Sequence, residues 1–345
     1  MSTPCLRFLP DGPQRVALEE RRPLHDTGSE LRSGSIFRID RFVIAYRVVK
    51  GLGPRPEGPL RAQRLRYGPF DPTVKFAADP ALPRRPPRPR DVHSGMRRDD
   101  LVRWLDEYLA IADYEDPSLN GLQVEGRDEV TKVAVAVDAT LATFEQAADM
   151  GADLLITHHG LFWGRQLAVV GPHRKRLAYL LRHEISLYTA HIPLDAHREV
   201  GNNWGLARML GLDELEDFAS FRGRPIGVRG RFPTPMSLRD LADTVEKALG
   251  ESVLVHAGGP LEVATLGIVT GGAADDVVTA SAAGLDAFLT GEPKHSAFPE
   301  AFERGINALY AGHYMTETVG VNLLARELRE RFGLATEFVL LPTGL

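Results

Sequence analysis

His158 and His159 end the apolar run DLLITHH, and Gly160 follows them at once. Two further groups repeat one pattern: His191 with Asp195 in HIPLD, and His313 with Glu317 in HYMTE. Glu292 closes DAFLTGE, and His295 comes three residues later. Imidazoles and carboxylates without a thiolate suit Zn, Mn, Fe or Ni better than a soft metal. The single cysteine, Cys5, can form neither an intrachain disulfide nor a thiolate cluster. Three or four such ligands per ion, with one carboxylate shared, would hold two divalent ions ~3.5–4 Å apart and leave positions for water. The chemistry to expect of such a pair is hydrolysis. Neighbouring residues of a strand face opposite ways, so His158 and His159 would serve two metals unless the strand bends. Gly160 would permit that bend. His173, His183, His197 and His256 lie in helical or loop stretches without a partner pattern and are expected to be structural.

Strand ends must carry these residues. From Met96 onward, short β-rich runs alternate with helical stretches, which predicts an α/β fold. KVAVAVD (132–138), DLLITHH (153–159) and SLYTAH (186–191) read as strands separated by helices. A later block repeats the order: ATLGIVTG (264–271), DAFLTGE (286–292) and NALYAGH (307–313), followed by a long helix near 316–332. GADLLIT from Gly151 stands 133 positions before GLDAFLT from Gly284, and the same offset places Val133–Val137 on Leu266–Thr270. In the third strands an offset of 122 pairs His191 with His313 and Asp195 with Glu317. The expectation is two pseudo-repeated α/β lobes, about 96–212 and 213–345, with a metal site between them at the carboxyl ends of the strands. The region 224–259 completes the second lobe and leaves no room for an inserted domain.

The 345 residues suffice for one large or two ordinary cores, and a content of 43% hydrophobic and 25% charged residues is that of a globular protein. No apolar stretch approaches the ~18 residues of a membrane helix and no secretory leader is recognisable, so a soluble, cytoplasmic protein is expected. The net charge of -5 hides an asymmetry. Residues 1–95 hold 18 Lys/Arg against 10 Asp/Glu and 14 of the 24 prolines, which reads as a largely irregular, linker-like extension. Phe42, Val43, Ile44 and Tyr46 could form one strand or helix within it. Met96, followed by a helical pattern at Leu101, Trp104, Leu105, Tyr108 and Leu109, is a candidate natural start. The Arg/Pro run lacks aromatic interleaving, and specific nucleic-acid binding is not expected.

The segments SLNGLQVEG, LLITHHGLFW, AHIPLDAHREVGNNWGLA, LTGEPKHSAF, AGHYMTET and the C-terminal LPTGL, in this order, resemble the dinuclear-metal family of NGG-interacting-factor type. Its bacterial members are called GTP cyclohydrolase 1 type 2 homologues. The resemblance runs from about residue 97 to the end, and the extension before Met96 lies outside it. It implies His158, His159, Asp195, His313 and Glu317 as ligands of two divalent ions, with Glu317 bridging. It further implies a homohexamer, a trimer of dimers, with the sites facing an internal cavity. For ring opening of GTP, activated water would attack the guanine imidazole carbon. His191, His295 and Glu292 are the candidates for proton transfer or for support of the ligands. Lys294 and Arg165 could meet phosphate, and Trp163 could stack on a base. No P-loop or dinucleotide fingerprint is present, so a nucleotide or another phosphorylated small molecule would fit equally well. The reading from another class is a metal-binding hexameric assembly protein without turnover.

Overall fold

The computed structural model describes residues 95–344 and, before them, the backbone of two strands. These two, β1 (Ser35–Ile39) and β2 (Phe42–Tyr46), pair antiparallel with Phe37 opposite Ile44, so Phe42 to Tyr46 is a strand. The expected irregular character of the rest of the extension lies outside the described residues.

The main unit opens with β3 (Met96–Arg97) and α1 (Arg98–Tyr108), whose Leu101 and Leu105 are fully buried. After β4 (Gly121–Val124) and the short β5 (Glu129–Val130) comes β6 (Lys132–Asp138). Helix α2 (Leu141–Met150) starts where the Thr140 side chain accepts from Thr143 N and stops at Gly151 in the left-handed region. Next come β7 (Leu154–His159), α3 (Gly171–His183), β8 (Ser186–Thr189), the short α4 (Ile192–Ala196) and α5 (Asn202–Met209). Two long strands follow, β9 (Asp213–Phe221) and β10 (Arg224–Ser237), then α6 (Leu238–Leu249), capped by Ser237. The chain continues through β11 (Leu254–Ala257), β12 (Glu262–Ile268), α7 (Val277–Ala282), β13 (Ala287–Thr290), α8 (Ala297–Arg304) and β14 (Asn307–Tyr310). It ends in the 20-residue α9 (His313–Phe332) and β15 (Ala335–Phe338). Among the described residues no helix is long and apolar enough to cross a membrane.

The two larger sheets are β15-β6-β7-β8-β4 and β11-β14-β13-β12-β10-β9, and β3 pairs with β5 alone. In the first, β15, β6, β7 and β8 are parallel and β4 is antiparallel to β8. In the second, β12, β13 and β14 are parallel and β11 is antiparallel to β14. The internal repeat is therefore structural: three parallel strands with an antiparallel neighbour beyond the third. It extends to a cap. Asp153 Oδ2 accepts from Thr131 N and Oγ1 at 3.0 and 2.7 Å, and Asp286 Oδ2 accepts from Thr265 N and Oγ1, both at 2.9 Å. The inner strands β6 and β7 read as continuous apolar runs because both of their faces are buried.

The boundary expected near 212 separates most strands but not the helices. Trp204, Leu206 and Ala207 of α5 pack with Val228, Leu241 and Leu309 in the core of the second sheet. Val321, Leu324 and Leu328 of α9 pack with Val133, Leu154 and Tyr188 of the first, and β15 joins that sheet beside β6. Helix α9 is apolar on more than one side, which is how a helix buried between two layers must read. Each leucine it buries contributes roughly 1.5–3 kcal/mol. Close approach of α5 and α9 depends on Gly320, where an added Cβ would stand 2.7 Å from Asn202 Oδ1. The Gly320 amide donates to that oxygen at 2.6 Å, and Asn202 Nδ2 donates to Asp195 Oδ1 at 2.8 Å. Helix packing thus fixes a carboxylate.

Candidate metal centre

His158 and His159 occupy the last two positions of β7. The two His-x-x-x-carboxylate motifs do not lie on strand ends but begin just after them. His191 immediately precedes α4, which carries Asp195, while His313 and Glu317 form the first turn of α9. Positions i and i+4 of a helix share a face, and His313 Nε2 is 3.0 Å from Glu317 Oε1.

Four imidazoles are held by the same device. An oxygen that can only accept receives each Nδ1–H: Ala190 O for His158 at 3.0 Å, Asp138 Oδ1 for His159 at 2.9 Å, Asp116 Oδ1 for His191 at 2.9 Å and Glu292 Oε1 for His313 at 2.7 Å. The proton is thereby placed on Nδ1, and Nε2 keeps its lone pair. Those lone pairs converge on carboxylates. His158 Nε2 lies 3.6 Å from Asp195 Oδ1 and 3.5 Å from Glu317 Oε1, and His159 Nε2 lies 3.4 Å from Glu317 Oε2.

Donor atoms within 4.8 Å of one another form three groups: His158, Asp195 and Glu317; His159, His313 and Glu317; and His158, His159 and His191. Glu317 belongs to the first two. The site is buried, with His158 at 0% and Glu317 at 3% relative exposure. Two of its atoms, His158 Nε2 and Glu317 Oε2, have no hydrogen-bond partner although both are buried. Such orphans are costly unless something else satisfies them, and facing lone pairs call for a positive centre between them. The residues present fit a divalent metal.

Without metal, protons take that place. Burial pushes the His158 pKa down, but the Asp195 and Glu317 carboxylates reverse this and raise it to about 9. Burial likewise opposes protonation of His313, and Glu317 with Glu292 lifts it to about 9. Glu317, which burial alone would raise, is held far below the usual carboxylate range by His158, His313 and His159. Asp116, also opposed by burial, is held down at about 2, chiefly by its hydrogen bond to His191.

All five residues that the resemblance marks as ligands meet here. His191 stands beside them, its ring 5.1 Å from that of His158. Glu292 belongs to none of the donor groups but orients His313. His295 is exposed and joins no group. Lys294 pairs with Asp275 at 2.5 Å on the surface and Arg165 is exposed, whereas the Trp163 ring lies 5.0 Å from that of His191. His197 Nε2 donates to Tyr108 O, and His173, His183 and His256 pack on Phe162, Tyr179 and Phe298. The role expected of Gly160 changes. Its φ is not in the left-handed region; instead a Cβ would collide with the Gln123 amide and stand 2.6 Å from Thr189 Oγ1. Adjacent histidines also do not diverge fully, since their rings lie 4.8 Å apart. Asp116, Asp138 and Asn202 escaped the sequence reading. Asp138 was findable, because it ends β6 as His159 ends β7 and the two residues are register partners.

Residues 96–343 match the family described as Duf34/NIF3 (NGG1p interacting factor 3). The chain is 50% identical over 248 residues to the GTP cyclohydrolase 1 type 2 homolog of Deinococcus radiodurans, covering 72% of this chain and 94% of that one. Identity to the protein of the same name from Pyrococcus abyssi is 43% over 251 residues, covering 72% and 100%. Among solved structures, TTHA1606 from Thermus thermophilus is similar with a TM-score of 0.67 at 50% identity, covering 72% of this chain and 100% of that one.

Proposed function

Because the chain belongs to the Duf34/NIF3 family, we propose that it is a dinuclear-metal-dependent hydrolase acting on a purine nucleotide ring or a phosphoester. The observation that carries this reading is the sharing of Glu317 between two three-donor groups with buried, unpartnered atoms at their centre. His158, Asp195 and Glu317 would hold one divalent ion, and His159, His313 and Glu317 the other, with Zn, Mn, Fe and Ni all compatible with the donors. When bound, such ions supply Lewis acidity and bring the pKa of water towards ~7.

The chain's own residues do the rest. Asp138 and Glu292 lock the rings of His159 and His313, so little reorganisation accompanies binding. Asp116 fixes His191 with Nε2 free, and its side chain is 1% exposed. His191 Nε2 can therefore accept a proton from the attacking water or deliver one to the leaving atom, with Asp116 stabilising the imidazolium that results. Trp163 donates through Nε1 to Gly160 O, which sets its ring against His159 and His191.

The test is a hydrolysis screen beginning with GTP and simple phosphoesters, on protein reconstituted with each metal. Turnover abolished by a chelator and restored by one metal supports the reading; no turnover with any metal across the screen contradicts it. Asp116→Asn is expected to lower kcat by about 10²–10⁴-fold while elemental analysis finds the metal content unchanged.

A second reading is favoured by the placement of the donors on different elements. His158 and His159 lie on β7, Asp195 on α4, and His313 and Glu317 on α9, so bound ions would also tie sheet to helices. In that reading the protein is a metal-stabilised assembly without turnover. A homohexamer, as a trimer of dimers, and a cytoplasmic setting accompany both readings, and sedimentation of the purified chain tests the first.

A further inference from the structure

Beside the donor groups lies a cleft of about 380 Å3 whose lining includes Asp138, Thr140, His159, Trp163 and Arg176. That volume falls within the roughly 300–1,000 Å3 of small-molecule sites. Arg176, on α3, is half-buried and makes no hydrogen bond or ion pair with any described residue. Other sheltered arginines are paired: Arg98 with Asp99 and Asp128, and Arg127 with Glu184. A guanidinium without a protein anion keeps its paired N–H donors available for the oxygens of a ligand.

The surroundings specify the ligand's charge. The acid in the cleft, Asp138, already accepts from His159 Nδ1 through Oδ1. Helix α3 itself carries Arg174, Lys175, Arg176 and Arg182 and no Asp or Glu, while Glu145 and Asp149 of α2 act on its Tyr179 one turn further along. Thr140 is the residue from which α2 starts, and amides in the first turn of a helix add attraction for an anion. The planar fork of arginine matches phosphate oxygens two at a time.

We infer that Arg176 is the phosphate-recognition residue of this site, so that the substrate is a phosphorylated small molecule whose phosphate enters the cleft between Arg176 and His159. The inference rests on the hydrolase reading for what happens next, but the contact itself does not require turnover. Trp163 supplies the aromatic part of the cleft lining, against which the organic part of the molecule would lie. Arg176 acts by binding, and its removal leaves all five donors in place.

The experiment is calorimetric titration of inorganic phosphate into the metal-loaded full chain, its Arg176→Gln variant and its Arg176→Lys variant, with metal content and circular dichroism measured on each. Gln keeps the helix propensity, so folding is expected to be unchanged. The expected result is phosphate affinity at least about 10-fold weaker in Arg176→Gln, with partial recovery in Arg176→Lys and equal metal content in all three. Affinity within twofold of the parent in Arg176→Gln, or no phosphate binding by the parent, overturns the inference. Failure of the hydrolase reading has a different signature: no turnover across the hydrolysis screen, while the difference between parent and Arg176→Gln in phosphate binding persists.

Discussion

Glu317→Ala is expected to reduce the metal content of the purified chain to below about one ion and to lower turnover at least 10³-fold, the scale of losing a group that organises charge at a reacting centre. Glu317 Oε1 faces His158 and His313, and Oε2 faces His159, so one truncation deprives both donor groups of their shared anion. Three imidazoles would then face one another across a buried space with Asp195 as the remaining carboxylate. Asp195 is already engaged, accepting from Asn202 Nδ2 and, at 3.2 Å, from Thr270 Oγ1, and cannot move to compensate. Elemental analysis and steady-state kinetics on the same preparation check the two effects together. If sedimentation of the variant matches the parent while turnover is gone, the enzymatic reading gains. Collapse of assembly in a protein whose parent shows no turnover favours the structural reading.

Removing the metal is expected to lower the melting temperature, and by more at pH 9 than at pH 6. In the stripped protein, His158 and His313 have pKa values raised from 6.5 to about 9. Groups raised on folding contribute stability that is complete below about 6.5 and is lost as pH rises through about 9. Glu317 and Asp116 are lowered, so their contribution is present above the usual carboxylate value and is lost only in acid. The stripped protein should therefore be most stable near pH 5–6 and weaken towards pH 9. Metal must displace the protons of His158 and His313, so its affinity rises over the same interval. At metal concentrations near 1,000-fold above Kd the gain is about 4 kcal/mol, or roughly 8–16 °C for a domain of this size. Melting curves of stripped and loaded protein from pH 6 to 9 check it. A gap that narrows with rising pH would contradict the proton-competition account.

What could be read in the sequence was whatever local pattern encodes. The apolar runs that became β6 and β7 were legible because burial on both faces leaves an uninterrupted signature, and the repeat was legible because both halves kept the spacing of strand, helix and strand. His158 and His159 stood out because two imidazoles rarely close an apolar strand without a task. The destination of α9 was not legible: its apolar faces announce burial but not against which sheet, and its return to β6 through β15 is a long-range choice. Asp116 was hidden for the same reason, since it meets His191 across 75 residues of chain. His295 failed in the opposite way. Sequence proximity to Glu292 suggested a shared site, but the chain turns there into α8, burying Ala297 and leaving His295 outside. Arg176 had no motif at all, and only the absence of a partner among the described residues singles it out.

The most direct test of the central claim is the metal content per chain, measured by elemental analysis on protein reconstituted with Zn, Mn, Fe or Ni and freed of excess ion. The dinuclear account predicts a value near two for at least one metal, falling below one in Glu317→Ala. A value near zero for every metal, unchanged between parent and variant, would contradict it.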